Sequence, residues 1–384
     1  MTSTYLTDEA ARRLRHGVPW IPKDGIASID GAPNPGEPVV LKDAQGHTLG
    51  LGDVDLESSF AVRRLGLPEE AAEGIIQRHL RHALERRALL VDDPRFCRMV
   101  NDDGDGLPGL VIDRYDTHYV VQTFTRAMDA RVQEISRSLV EVMNARSVLL
   151  RNDSLRRGQL GLKRERSHVM HGTPPRWSRV LEMGARFTVD LYSGRNTGYF
   201  YDHRDIRKVI ARVSQGARVL DLCGFVGGLF VHAGLHGAKS ILAFESDDDA
   251  AELARENAEA NGLMSRTRVE HADAHAALAQ VQDKHDLVLL DAPELPVVDP
   301  SPADPFVKLV RGAVRATRHG GRLIVIGYHP PLPERDLDER IALACELESR
   351  FAVRLARPGL PADFPTVVGS PGAEYMTALA LELS

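Results

Sequence analysis

Over residues 1–67 the apolar positions come in short bursts, Ile26-Ala-Ser-Ile29, Val39-Val-Leu41 and Thr48-Leu-Gly-Leu51, divided by turn-rich stretches such as Asp30-Gly-Ala-Pro-Asn-Pro-Gly36. This pattern predicts a small β-barrel or β-sandwich of short strands. From Pro68 to about Leu90 the period lengthens: Ile75, Ile76, His79, Leu80, Ala83 and Leu84 recur at helical spacing, and Pro68-Glu69-Glu70 is a suitable helix start. Leu110-Val-Ile112 and Tyr119 to Phe124 then predict paired strands, Met128 to Met143 a helix, and Ser147-Val-Leu-Leu150 a further strand, a central α+β domain. Asn101 to Gly106 is spelled like the start of a calcium loop. The position where that loop needs a glutamate is Ile112, so the stretch reads as a turn entering a strand.

From about Ala185 strands and helices alternate, the mark of a parallel sheet covered by helices. Arg218 to Leu222, Ser240 to Phe244, Arg268 to Glu270, Asp286 to Leu290, Gly321 to Ile326, Ala352 to Leu355 and Tyr375 to Leu381 are the expected strands; helices are expected over 247–261, 306–316 and 337–351. The fold class is therefore α/β, a Rossmann-like domain preceded by a small β-barrel and a central α+β domain. The expected boundaries are 1–67, 68–184 and 185–384.

Charge and cysteine content narrow the function. The 384 residues carry a formal net charge of -6, so no global field attracts a polyanion. Locally, residues 151–180 hold eight basic side chains against Asp153 and Glu165, and Arg156, Arg157, Arg164 and Arg166 are the expected contacts for an RNA backbone. Three scattered cysteines, Cys97, Cys223 and Cys345, give neither a disulfide framework nor a zinc site. No metal is expected. No apolar run is long enough to span a bilayer and the N-terminus lacks a signal core, so a cytoplasmic protein that does not enter a membrane is expected.

The chemistry concentrates after the first Rossmann-like strand. Val219-Leu-Asp221-Leu-Cys223-Gly224-Phe225-Val226-Gly227-Gly228 sets glycines between a strand and a helix, where backbone can approach a ligand and free N–H groups are on offer. The next strand ends at Glu245, about 20 residues on, where a carboxylate can take both hydroxyls of a ribose. Asp221 suits a ligand bearing an ammonium group.

This set resembles motif I and the acidic residue of class I S-adenosylmethionine-dependent methyltransferases. The resemblance implies a donor site that includes Asp221, Cys223, Gly224, Phe225, Gly227 and Glu245, with Asp273 on the adenine and Asp291, in Leu289-Leu-Asp291-Ala-Pro293, opening the catalytic motif. Pro19-Trp20-Ile21, Asp103 to Asp113 and Thr197-Gly198-Tyr199-Phe200-Tyr201-Asp202-His203-Arg204-Asp205 extend it. They resemble the bacterial 23S ribosomal RNA cytosine-C5 methyltransferases, built as PUA domain, central domain and methyltransferase domain. In that family the Thr197-like segment caps the donor pocket, which implies Tyr201, His203 and Arg204 beside the donor.

The resemblance breaks at the acceptor. Methylation at cytosine C5 needs a nucleophile at C6, usually a thiolate. Where that family carries its cysteine, after the fifth strand, this chain has Gly327-Tyr328-His329-Pro330, and Asp291-Ala292-Pro293-Glu294 replaces a motif ending in a base. Asp291, Tyr328 and His329 are the expected acceptor-side residues. The expected function is an S-adenosylmethionine-dependent methyltransferase acting on RNA, ribosomal RNA by resemblance. The alternatives are a small-molecule acceptor or an inactive RNA-binding homologue, and a homodimer is the assembly considered.

Overall fold

The computed structural model describes residues 1–281, 284–293, 300–328, 334–370 and 375–384, with 334 and 335 described in backbone only. They form two compact units. The first comprises Met1–Arg176, Leu191–Thr197 and the described part of 362–373; the second comprises Trp177–Asp190, Gly198–Pro361 and the described part of 374–384. No described helix is long and apolar enough to cross a membrane.

In the first unit the short N-terminal strands form one six-stranded sheet in the spatial order Trp20–Ile21, Val62–Gly66, Thr48–Val54, Val39–Lys42, Ser3–Leu6, Ile26–Ile29. Helix Asp8–Arg15, capped by the Thr7 hydroxyl on the Ala10 N–H, buries Ala10, Ala11 and Leu14 in a core with Ile21, Leu41 and Val62. A second, five-stranded sheet holds Phe96–Asn101, Leu110–Tyr115, His118–Thr123, Ser147–Leu150 and His168–Gly172. Helices Ile75–Leu90 and Val132–Met143 share its core.

Two helix expectations change here. The first helix begins at Ile75, not Pro68: Gly74 at φ +67° precedes it, and the Glu70 carboxylate accepts the Leu67 N–H, so Pro68–Glu70 form a turn. The run from Met128 is two helices, Arg126–Ala130 and Val132–Met143, parted at Arg131. The Arg131 guanidinium makes a buried two-pronged pair with Asp53, a tertiary contact that outweighs local helix propensity. The calcium-like stretch is a 3-10 turn, Asp102–Asp105.

The second unit opens with a hairpin, Trp177–Glu182 and Ala185–Asp190, turned by Met183 at φ +46° and Gly184 at φ +82°. The chain therefore enters this unit at Trp177, before the boundary expected at 185, because the pairing partner of Ala185–Asp190 lies upstream of it. Seven strands follow: β1 Arg218–Asp221, β2 Ser240–Glu245, β3 Thr267–His271, β4 His285–Asp291, β5 Thr317–Tyr328, β6 Ala352–Ala356 and β7 Met376–Leu383. Their order is β3-β2-β1-β4-β5-β7-β6, parallel except for β7, which runs antiparallel to both neighbours. The order reverses between β1 and β4, and the crevice beyond the carboxyl ends of strands at such a point is where doubly wound folds bind ligands. Leu220, Val288, Leu290, Leu323 and Val325 form the centre of the core.

The first unit also contains a fully buried ion pair. Arg87 donates to both oxygens of Asp105 at 2.6 and 2.7 Å, and to the Asp363 carbonyl at 2.8 Å. Removing one partner of such a pair strands the other charge, so Asp105→Ala is expected to cost about 3–5 kcal/mol. Urea unfolding followed by circular dichroism measures it, and a change below 1 kcal/mol would class the pair with surface ones.

Candidate active site

The site is built where β1, β2, β4 and β5 end. The loop after β1 passes through Cys223, Gly224 and Phe225, and Phe225 sits at φ +45°, a left-handed conformation costly for a bulky side chain. Glu245, at the end of β2, holds it there: its buried carboxylate accepts the Phe225 N–H at 2.7 Å and the N–H groups of Ser246 and Asp247 at 2.9 Å. Gly227, at φ +91°, has Phe230 so close that a Cβ would lie 2.8 Å from its ring.

A second anchor is Arg207 on helix Arg204–Val213. Its buried guanidinium donates to Glu182 of the hairpin at 2.8 Å, to the Phe200 carbonyl at 2.7 Å and to the Gly228 carbonyl at 3.1 Å. One side chain thus ties together the hairpin, the Thr197–Asp205 segment and the glycine loop. Burial alone would raise the Glu182 pKa, but Arg207, Arg204 and His232 hold it below the usual carboxylate range.

Between these anchors lies a shallow, partly open pocket lined by Phe200, His203, Cys223, Gly224, Phe225 and Asp291 among others. The His203 ring stacks on Phe200 at 5.0 Å, and its Nε2 lies 2.5 Å from the Tyr328 hydroxyl. Burial pushes the His203 pKa down to about 4, so the imidazole is neutral at neutral pH. Tyr328 also hydrogen-bonds Asp291, and burial together with the Asp291 charge holds its phenol protonated well above the ordinary range. A phenol that donates to Asp291 leaves its oxygen to accept from a His203 protonated on Nε2. Behind them the Tyr375 hydroxyl donates to Asp202 at 2.6 Å.

Asp221 is completely buried at the end of β1. Its Oδ1 accepts the Cys223 N–H at 3.4 Å, while its Oδ2 is buried without a hydrogen-bond partner among the described residues. Burial, reinforced by the Glu245 charge, raises its pKa to about 7.

The expected site residues therefore separate. His203, Cys223, Gly224, Phe225 and Asp291 line the pocket, Tyr328 stands beside it, and Asp221 and Glu245 hold positions under its loop. Tyr201 is buried edge-on against Tyr199, and Arg204 pairs with Glu182. Asp273 is exposed, and its Oδ1 caps helix Ala274–Gln280 by accepting the His275 and Ala276 N–H groups; it is not among the residues lining this pocket. His329 and Glu294 lie outside the described residues.

Of the expected RNA contacts, Arg157 requires correction. Its side chain is buried, pairing with Asp129 and donating to the Lys163 carbonyl, so it is structural; Arg156, Arg164 and Arg166 are exposed. Arg151 is buried as well, paired with Asp153. Glu182, Phe200 and Arg207 are the contributors that sequence reading missed. Glu182 and Arg207 are 25 residues apart, with no local spacing to connect them.

Residues 107–377 match the family described as S-adenosylmethionine-dependent methyltransferase, and residues 5–66 match a PUA-like domain. The chain belongs to the S-adenosylmethionine-dependent methyltransferase family. Proteins called Ribosomal RNA large subunit methyltransferase I are similar to it: that of Aeromonas hydrophila is 32% identical over 76% of each chain, that of Tolumonas auensis 30% over 76% of each. The one from Alteromonas mediterranea is 28% identical over 97% of this chain and 96% of its own. Among solved structures, a Streptococcus mutans protein described as a candidate SAM-dependent methyltransferase superposes with a TM-score of 0.83 at 19% identity, over 100% of both chains. Another, described as a candidate methyltransferase complexed with SAH, gives 0.84 at 18%, also over 100% of both. These last two establish likeness of fold. The donor of the family is S-adenosylmethionine, and the unpartnered carboxylate oxygen of Asp221 fits its ammonium group.

In the absence of donor, Asp221 carries a proton in the folded state over a pH range where the unfolded chain has lost it, so its contribution favours folding at low pH and is lost as pH rises from about 4 to 7. Asp221→Asn is expected to be more stable than the parent above pH 7, by on the order of 4 kcal/mol, and equal to it near pH 4. Thermal unfolding across that range measures this, and a difference independent of pH would refute it.

Proposed function

We propose that this chain methylates ribosomal RNA from S-adenosylmethionine without a covalent thiolate adduct, the acceptor being a nitrogen or oxygen held at Asp291. The donor supplies a methyl group on a sulfonium, activated for attack by a nucleophile. In this reading Glu245 and the Gly224–Gly227 backbone hold the nucleoside, Asp221 takes the ammonium, and Tyr201, His203 and Arg204 belong to the segment that covers the donor. Asp291 orients the acceptor and takes its proton. Tyr328 and neutral His203 keep that carboxylate in place, and His329 follows in the chain. The ribosomal substrate is supported by the names of the similar proteins, and RNA binding by the PUA-like domain together with exposed Arg156, Arg164 and Arg166. The reading extends to a cytoplasmic location and to a homodimer, whose mass light scattering would give.

The observation that carries the chemistry is Tyr328. It occupies the end of β5, where a thiolate would be needed, and its phenol is hydrogen-bonded and held protonated, which makes it a poor nucleophile. Cys97 and Cys345 are buried, and burial raises the Cys345 pKa further. Cys223 alone among the three lines the pocket.

Two measurements test the reading. Glu245→Ala should weaken S-adenosylhomocysteine binding by at least about tenfold in calorimetry, since a charged acceptor bond is worth about 1.5–3 kcal/mol; unchanged affinity would remove Glu245 from the donor site. Ribosomal RNA containing 5-fluorocytidine should yield a methylated product elsewhere and no trapped protein–RNA adduct. An adduct lost in Cys223→Ala would make that cysteine the nucleophile, and one that persists would point to Cys97 or Cys345; either refutes the thiol-free route.

A further inference from the structure

Two stretches that belong to the first unit, Leu191–Thr197 and 362–370, interrupt the sequence of the second. Each is followed in the chain by residues of the candidate site. After Thr197 come Phe200 and His203, which line the pocket. After Ser370 come Tyr375, which donates to Asp202, and Met376, the register partner of Tyr328. In Leu191–Thr197 the middle of the stretch gains little from burial, since Ser193, Arg195 and Asn196 are exposed. Polar contacts fix it instead: buried Arg151 donates to the Leu191 and Gly194 carbonyls at 2.8 and 3.0 Å, and Thr197 is fully buried at its end. Gly198, at φ +117°, turns the chain immediately afterwards.

Both stretches end on one arginine. On adjacent strands of the five-stranded sheet Arg98 faces Asp113 in register, and its guanidinium donates to the two carboxylate oxygens at 2.6 and 3.2 Å. Asp113 is fully buried, and its Oδ2 also accepts the Thr197 hydroxyl at 2.6 Å. The Thr197 proton is thereby committed, so the Tyr115 hydroxyl, 2.9 Å away, donates to the Thr197 oxygen. On its other side the Arg98 N–H donates to the buried Asp363 carboxylate at 2.9 Å, and the guanidinium lies 4.5 Å from the centre of the Phe364 ring. Gly104, in the calcium-like stretch, completes this seat: a Cβ there would lie 1.8 Å from the Pro365 carbonyl oxygen, so glycine alone lets that backbone approach. A buried network of charges and hydroxyls holds or fails largely as a unit, because each group left unpaired inside the protein is costly.

We propose that Arg98, Asp113 and Thr197 are positioning residues for the methyl-transfer site: they fix the point from which the Gly198–Asp205 segment sets out, and so hold Phe200 and His203 in place to cover the donor. The inference rests on the donor reading above. It adds to that reading a determinant in the first unit that is not among the residues lining the pocket.

Calorimetry with S-adenosylhomocysteine on the full-length chain, paired with thermal unfolding, tests this. Thr197→Val keeps the volume and removes both hydrogen bonds; it should weaken binding about 3- to 30-fold, while Thr197→Ser, which keeps the hydroxyl, should stay within about twofold of the parent. Arg98→Lys keeps the charge but loses the two-pronged fit to Asp113 and the flat face on Phe364, and should act in the same direction. Arg131→Lys weakens a buried two-pronged pair elsewhere in the same unit; it should lower the unfolding temperature and leave the affinity unchanged. Where Thr197→Val does not fold, Arg98→Lys decides. Unchanged affinity in either folded variant overturns the inference and leaves the donor reading intact. Failure of Thr197→Ser to restore binding does the same, as does an equal loss in Arg131→Lys, which would trace the effect to stability alone. No binding by the parent overturns the donor reading and this inference with it.

Discussion

The pocket of the second unit depends on one buried guanidinium. Arg207 has no water to turn to, so its donors go to the Glu182 carboxylate and to the carbonyls of Phe200 and Gly228, three segments distant in sequence. Such a group is costly to bury and costlier to leave half paired, which makes the arrangement close to all-or-none. The loop after β1 and the segment that runs into helix Arg204–Val213 are thereby fixed relative to each other, and the pocket is the space left between them. Glu245 acts on the same loop from the other side, holding Phe225 in a conformation it would not adopt alone.

At the end of β5 the same economy of proton positions applies. Tyr328 bridges a neutral imidazole and a carboxylate, and both neighbours favour the phenol over the phenolate. A tyrosine so placed is hydrogen-bonded to Asp291 and stays a phenol, a poor nucleophile. The proposed transfer of methyl groups to nitrogen or oxygen rests on this protonated phenol at the end of β5.

The first unit pairs several of its charges internally: Arg87 with Asp105, Arg98 with Asp113, Arg131 with Asp53 and Arg157 with Asp129. Against that background Arg156, exposed and lying over the Phe124 ring, makes no ion pair among the described residues. An overall charge of -6 does not oppose a local anion site, because beyond about 10 Å at ordinary salt the distant carboxylates are largely screened.

How much was legible in sequence follows from the range of each interaction. Strand and helix periodicity reports burial on one face of a local element, so β1 to β7 were readable to within a few residues, as were the glycine loop and its acidic partner; the antiparallel run of β7 was not. Arg131 and Gly74 escaped because a long-range ion pair and a left-handed backbone decide those helix ends. Arg157 looked like its neighbours in a basic run. Only folding distinguished it, since Asp129 approaches from a different helix. Asp273 had the right place in the motif order and caps a helix, and Glu182 and Arg207 carried no signal at all. Local pattern determined which elements form and where the nucleoside-type loop sits. Which charges are buried, which face the pocket and which remain for a ligand was decided by the tertiary structure, because desolvation and pairing depend on neighbours that the chain brings together only by folding.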